Sequence, residues 1–457
     1  MAEIKPMIHK YCQNGTYMLL DVNSGIINVI DKMTYDVLDV YDGTNKDAVY
    51  QAFAGTYDKK DLDETLGELD ELIEKEMLFA PMTENFKVVA EEEPVIKSLC
   101  LNIAHDCNLR CQYCFASQGD YDTHKRELMS FDVAKHAVDL LIKSTEGKRQ
   151  HCEIDFFGGE PLMNFETVKK IVEYARSQEP VYHKKFRFTI TTNGMLLTDD
   201  KIDFINREMS NVVLSIDGRK EVNDRMRPRV DGKGSYDKII PMYKKLVDQR
   251  GEKEYYVRGT YTKYNLDFSD DVFALLDAGF DQISVEPVIA DAEEPYAITE
   301  ADLPRIFEEY ERLMQKILDY EATGKKFNFF HFMLDLDQGP CAIKRLRGCG
   351  CGNEYVAITP DGDIYPCHQF VGNEDFLMGN VDEGITRNDI RDEFKSCNVY
   401  SKEKCKNCFA KFYCSGGCAA NSYNFHGNIN DAYDVGCEMQ KKRIECAIMI
   451  RAAMAED

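Results

Sequence analysis

Between residue 96 and about residue 324 the chain alternates strand-like and helix-like segments without a break. This pattern limits the fold more than any other feature of the sequence. The strand candidates span 98–104, 152–157, 186–192, 211–217, 255–262 and 282–288, and helical patterns lie between them over 131–143, 165–177, 201–208 and 272–276. Six such units point to a parallel sheet, either doubly wound or barrel-like. Two strands separate these options. Arg187, Thr189 and Thr191 alternate with Phe186, Phe188 and Ile190, and Tyr256, Arg258 and Thr260 alternate with Tyr255, Val257 and Gly259. A strand held between two helix layers is apolar on both faces. One polar face predicts instead an incomplete barrel with a ligand-holding lumen, an α/β partial (β/α)6 barrel over 96–325.

The flanks read as separate modules. Residues 1–95 carry two short apolar strands, 16–22 and 25–31, around the turn Asn23-Ser24-Gly25. Helical stretches follow at 34–40, 47–53 and 62–75, the last with Leu62, Leu66, Leu69, Leu72 and Ile73 at helical spacing. This is a packing domain or a binding module with a free sheet edge. The acidic stretch 88–94 reads as a linker. After a helix at 302–320 the periodicity fades, and 326–457 is a Gly- and Cys-rich domain with little apolar sequence for a core. Bound metal is the expected support.

The 17 cysteines bear this out by their placement. Eleven lie between Cys341 and Cys446 and three more between Cys107 and Cys114, whereas a core using Cys as a small hydrophobe would scatter them. The start of the chain lacks an export pattern, and no apolar run approaches the roughly 18–20 residues of a membrane span, so a cytoplasmic protein with no membrane partner is expected. There, metal or redox use is the better default for Cys than disulfides. A net charge of -24, from 56 Lys+Arg and 80 Asp+Glu, argues against nucleic acid as a partner.

The first strand ends in Cys107-x3-Cys111-x2-Cys114, with Tyr113 before the last Cys. Three thiolates within eight residues can converge on one inorganic core. A four-iron cube would keep one iron free, while a closed zinc site would need a fourth ligand, for which His105 is available. Gly158-Gly159-Glu160-Pro161 follows the second strand, Thr191-Thr192-Asn193-Gly194 ends the third and Ser215-Ile216-Asp217-Gly218 the fourth, where a parallel barrel places its binding loops. Glycines permit close backbone approach, and the carboxyl can take a cationic amine.

These motifs resemble the radical S-adenosylmethionine (SAM) superfamily. The resemblance implies a [4Fe-4S] cluster on Cys107, Cys111 and Cys114 whose open iron chelates SAM. Glu160 of the GGEP motif then meets the SAM amino group, with Tyr113, Gly158, Gly159, Thr192, Asn193, Ser215 and Asp217 around the cofactor. Arg227 and Arg258 are candidates for the SAM carboxylate, a role that guanidinium geometry suits; a structural ion pair is the alternative for each.

A second signal lies at Cys405-x2-Cys408-x5-Cys414-x3-Cys418 with Cys437 beyond, and Gly362-x4-Cys367 upstream. It resembles the SPASM domain of peptide-modifying radical SAM enzymes, which holds two auxiliary four-iron clusters, making three [4Fe-4S] clusters in all. The resemblance places Cys405, Cys408, Cys414 and Cys437 on the outer cluster and Cys367 and Cys418 on the inner one. For the inner cluster's next ligand Cys349, Cys351 and Cys341 stay open, with Cys349 preferred. A zinc ribbon is the plainer reading of the C-x2-C pair. Cys12, Cys100, Cys152, Cys397 and Cys446 fit no motif and read as packing cysteines.

Residues 107–121 and 352–372, with the N-terminal module, resemble the maturases of small Cys-rich SCIFF peptides, which install thioether bridges. That resemblance implies a winged-helix, leader-recognising module over 1–95, a ribosomal precursor peptide as substrate, and an external one-electron donor of flavodoxin or ferredoxin type. Formylglycine formation of the sulfatase-maturase kind and a non-catalytic iron–sulfur carrier are the rival readings.

Overall fold

The computed structural model describes residues 7–81, 94–334, 336 and 342–455. Cys341 and most of the expected linker, 88–93, lie outside the described residues. The N-terminal sheet is antiparallel, ordered β1 (Ile8–Gln13), β2 (Thr16–Asp21), β3 (Ile27–Ile30). The helices Lys32–Val37, Lys46–Ala52 and Lys59–Glu74 follow it. Leu62, Leu66 and Leu69 of the last helix join Leu19, Val37 and Val49 in a small core of their own. Strand β1 is absent from the sequence reading because its residues, IHKYCQ, alternate without an apolar run. Cys12 is a correction: it is exposed, since Tyr11 and Gln13 take the inward positions of β1. Cys100, Cys152 and Cys446 are buried.

Among the described residues the large sheet has eleven strands. In chain order these are β4 (Ser98–Ala104), β5 (His151–Gly158), β6 (Lys185–Thr192), β7 (Asn211–Ser215), β8 (Glu254–Tyr261), β9 (Gln282–Pro287), β10 (Asn328–Phe329), β11 (Tyr355–Ile358), β12 (Asp363–Tyr365), β13 (Gly379–Asn380) and β14 (Gly384–Ile385). Strands β4 to β10 pair in parallel with their chain neighbours, in sequence order. A doubly wound sheet reverses its order at a switch point. This one does not. The predicted alternation also holds: in β6, Phe186, Phe188 and Ile190 are buried while Arg187, Thr189 and Thr191 face the open side.

Beyond β4 the sheet continues into the Cys-rich region. Strand β11 joins β4 in parallel, with Tyr355 opposite Ser98, and β12, β13 and β14 add antiparallel. The loop after β12, carrying Cys367, is thereby brought next to the loop after β4. His368 sits over Phe157 at 4.9 Å and Phe115 at 5.4 Å between ring centres.

Two helices of the parallel-sheet region escaped the sequence reading, Lys220–Met226 and Tyr236–Arg250, the second with Pro241 inside it. The Cys-rich region also holds more helix than expected. Helix Asp434–Ala455 buries Met439, Ile444, Ala447 and Ile448, but also Arg443 and Cys446, and packs on helix Leu303–Glu321. The buried arginine interrupts the apolar stripe that would have announced it. The N-terminal sheet docks on the same helix. Tyr11 donates to the Glu445 carbonyl at 2.9 Å, His9 Nε2 meets Glu445 Oε1 at 3.0 Å, and His9 stacks on Phe409.

Candidate active site and cysteine groups

The loop after β4 is held open by its neighbours rather than by its own apolar content. Asp106 Oδ1 accepts from the Cys107 N–H at 2.8 Å, and Arg126 pairs with the same carboxylate. Strand β5 ends against this loop. The Gly159 and Glu160 N–H groups donate to the Ala104 and Asp106 carbonyls at 2.7 and 2.9 Å. A Cβ on Gly158, at φ +117°, would stand 2.5 Å from the Ala104 oxygen, and one on Gly159 would stand 2.1 Å from that of Asp106. The close approach expected of these glycines is therefore made to the Cys loop.

Glu160 is buried, and its carboxylate accepts from Leu162 N at 3.0 Å, Thr192 Oγ1 at 2.7 Å and Asn193 N at 2.8 Å. Three of about four acceptor positions are thus used inside the chain, leaving one. Burial raises the carboxyl to about 7 against these three bonds. Asn193 carries the link onward, its Nδ2 lying 3.6 Å from Cys107 Sγ and 2.8 Å from Asn108 Oδ1. The Leu109 and Gln118 N–H groups point at Cys107 Sγ and Cys114 Sγ, at 3.5 and 3.3 Å.

On the far side Asp217, fully buried, accepts from Tyr113 Oη, from Arg227 Nε at 2.9 Å and from Thr260 N at 2.9 Å. Arg227 also lies over the Tyr113 ring, and its charge offsets part of the rise that burial imposes on the Cys111 thiol. Its structural ion pair is therefore present. Arg258 is also paired, with Glu286 Oε2 at 2.6 Å, but half of its side chain faces the open side of the sheet. Ser215 contributes its carbonyl to Tyr243 Oη at 3.0 Å, and Tyr243 also reaches the Thr192 carbonyl at 3.2 Å. Tyr243 and Glu286 were not singled out from the sequence. Glu286 had a visible signal, as the lone acid in an apolar strand end.

Eleven of the described cysteines fall into three groups of neighbours. Cys107, Cys111 and Cys114 are close enough to repel one another if ionised, as are Cys405, Cys408, Cys414 and Cys437. The third group is Cys349, Cys367 and Cys418 with Cys351 added, its thiol hydrogen-bonded to Cys349 so that Cys349 titrates lower and Cys351 higher. Burial pushes Cys107 and Cys111 up to about 12, so each keeps its proton until a metal replaces it. His105 is not with them. Its Nε2 meets Asn102 at 3.2 Å, its ring packs on Tyr121, and burial lowers it to about 4. Among the described residues no three His, Cys, Asp or Glu side chains close on a single ion. Soft thiolates in groups, with N–H donors on the sulfurs, are the donor set of iron–sulfur clusters.

Comparison with known proteins agrees with this geometry. Residues 101–262 match the Radical SAM superfamily model, and residues 349–409 match the iron–sulfur cluster-binding SPASM domain. The chain is 27% identical over 374 residues to a cysteine-type anaerobic sulfatase-maturating enzyme of Clostridium novyi, covering 77% of this chain and 95% of that protein. A solved structure described as native anSMEcpe with bound AdoMet superposes with a TM-score of 0.64 at 20% identity, over 78% of this chain and 99% of the other. Streptococcus suis SuiB bound to precursor peptide SuiA matches 94% of this chain and 98% of its own, at TM-score 0.53 and 16% identity. The chain carries a radical SAM domain and a SPASM domain. Its cofactors are iron–sulfur clusters and SAM.

Proposed function

We propose that this chain is a radical SAM maturase that forms Cys thioether crosslinks in a ribosomally made, Cys-rich precursor peptide of the SCIFF type. One observation supports the reading: eleven of the described cysteines form three groups of neighbours, of three, four and four members. Cys107, Cys111 and Cys114 take the SAM-binding cluster, Cys405, Cys408, Cys414 and Cys437 the outer one, and Cys349, Cys367 and Cys418 the inner one, with Cys351 in reach. When bound, the first cluster and SAM supply one-electron cleavage of SAM and abstraction of a hydrogen atom from the peptide. An external flavodoxin- or ferredoxin-type donor provides the electron.

The chain's own part is positioning. Asn193 fixes Cys107 and, through its backbone, Glu160, whose remaining acceptor position would be available to the SAM amino group. Asp217 holds Tyr113 and Arg227 beside Cys111, so one buried positive charge sits against the thiolates. Arg258 projects into the lumen of a partial barrel, where a carboxylate can compete for it with Glu286. Residues 1–95 act as a winged-helix leader-recognition module, and β3, an edge strand with one neighbour, is the place for an added peptide strand. The share of this chain matched rises from 78% for anSMEcpe to 94% for SuiB, a difference comparable to that module.

The likeness to sulfatase-maturating enzymes favours a second reading, oxidation of a substrate Cys to formylglycine. Mass mapping of a co-expressed Cys-rich precursor separates the two. A bridge loses a pair of hydrogens and keeps sulfur, whereas formylglycine loses sulfur. Sulfur retention with a fragmentation-resistant link is the expected result.

A further inference from the structure

Lys402 is 2% exposed, although lysine is almost never fully buried without a partner charge. Its carbonyl accepts the N–H of Cys405 at 3.0 Å. Its side chain reaches the loop between Cys414 and Cys418, where Nζ donates to the Gly416 carbonyl at 2.9 Å and to Ser422 Oγ at 3.3 Å. Both partners are neutral, and among the described residues no carboxylate pairs with this ammonium. Lys404 and Lys441, also near these cysteines, are paired with Asp434 at 2.7 Å and Glu438 at 2.6 Å and are partly exposed. Lys411 is buried as well, near Cys408, but there burial draws its pKa down.

Cys414 belongs to the outer group and Cys418 to the inner one, so the ammonium of Lys402 stands where the two groups meet. Burial raises the Cys405 and Cys418 thiols, and the charge of Lys402 offsets part of each rise. A buried cation that lacks a carboxylate calls for some other negative charge. A four-iron cluster on thiolates carries one, and reduction adds to it. A fixed positive charge beside such a cluster therefore favours its reduced form, and with water excluded the attraction is little screened.

We infer that Lys402 is the buried counter-charge of the auxiliary clusters, a positioning residue that raises their reduction potential and so prepares them to accept an electron. The inference rests on the ligand sets of the proposed function and gives Lys402 a part in that reaction. Closing a thioether trades a C–H and an S–H bond for a C–S bond. One hydrogen leaves as the abstracted atom, the other as a proton and an electron. An oxidised auxiliary cluster is the acceptor for that electron, and Lys402 favours its arrival.

The test is a redox titration followed by EPR, with no turnover. It uses the full-length reconstituted chain carrying Cys107→Ala, Cys111→Ala and Cys114→Ala, so that the auxiliary clusters alone respond. Adding Lys402→Gln should move at least one midpoint to more negative potential. The reduced-to-oxidised ratio at a fixed potential should fall roughly tenfold, which is about 59 mV for one electron. Lys402→Arg keeps the charge and should stay near the parent's midpoints. Ser422→Ala removes a hydrogen-bond partner of Lys402 but no charge, and should not reproduce the negative shift. A merely loosened site would admit water, which favours the more highly charged reduced form and moves the midpoint the other way. If Lys402→Gln loses iron, Lys402→Arg decides: iron kept at the parent's midpoints supports the inference, and iron lost overturns it. Unchanged midpoints in an intact Lys402→Gln, a positive shift, or an equal negative shift in Ser422→Ala would also overturn it. Absence of the auxiliary signals from the parent would overturn the ligand sets themselves, so the two failures are told apart.

Discussion

The hydroxyl of Tyr113 stands 2.8 and 2.7 Å from the two oxygens of Asp217, joining the Cys loop after β4 to the turn after β7. Four strands of a parallel sheet are bridged by one phenol, and Arg227 closes the network on the same carboxylate. The loop that carries the cysteines is therefore placed from two sides, by Asp217 and by Asn193.

Removing Asp217 should be costly for folding. Asp217→Ala leaves the guanidinium of Arg227 buried without its counter-charge, and breaking such a pair costs about 3–5 kcal/mol. Chemical denaturation of the variant should show a loss of this size, with a smaller loss for Asp217→Asn, which keeps a hydrogen-bond acceptor.

Glu160 should leave a signature in pH. Its carboxyl is raised from 4.5 to about 7 by burial. The folded form then binds more protons than the unfolded form between these values, so Glu160 favours folding most at low pH, and that advantage is lost as pH rises through about 7. Measured against Glu160→Gln, the stability of the parent chain should fall by about 2 kcal/mol from about pH 5.5 to about pH 8. Parallel curves for the two proteins would contradict the assignment.

Gly159 should be irreplaceable for the first cluster alone. The Cβ of Gly159→Ala meets the Asp106 carbonyl, which can yield only by displacing the Cys loop. Reconstituted Gly159→Ala should lose about a third of its iron and its SAM cleavage, while the auxiliary clusters remain visible by EPR.

The inner group tests the ligand assignment. With Cys349, Cys367 and Cys418 as ligands, Cys351→Ala should keep its iron, while Cys349→Ala should lose about four irons per chain. Iron analysis of the two variants decides. Loss in both would mean a cluster closed by four thiolates.

Much of this site was legible in the sequence because its residues are local in the chain. Cys107 to Cys114, the Gly-Gly-Glu-Pro turn and the Cys405–Cys418 run each sit within a few residues, so spacing alone announced them. Strand periodicity gave the parallel sheet for the same reason, since Arg187, Thr189 and Thr191 alternate visibly with apolar neighbours. What spacing could not reveal depends on contacts across the chain. The joining of β11 to β4, which brings Cys367 beside the first Cys loop, is a pairing of residues more than 250 positions apart. Arg443 reads as a surface charge until Tyr310 is placed against it. Glu160 looked free for a ligand, and only the fold gives it three donors from its own chain. Helix Tyr236–Arg250 was obscured by Pro241 and by a buried Arg250.

The account stands on the claim that Cys107, Cys111 and Cys114 hold a cluster that cleaves SAM, separately from the clusters of the Cys-rich domain. The most direct measurement is iron content and 5′-deoxyadenosine production by the anaerobically reconstituted chain and by its Cys107→Ala/Cys111→Ala/Cys114→Ala variant. The parent should hold about twelve irons and release 5′-deoxyadenosine on reduction, and the variant should hold about eight and release none. SAM cleavage that survives in the variant, or zinc as the dominant metal in the parent, would contradict the account.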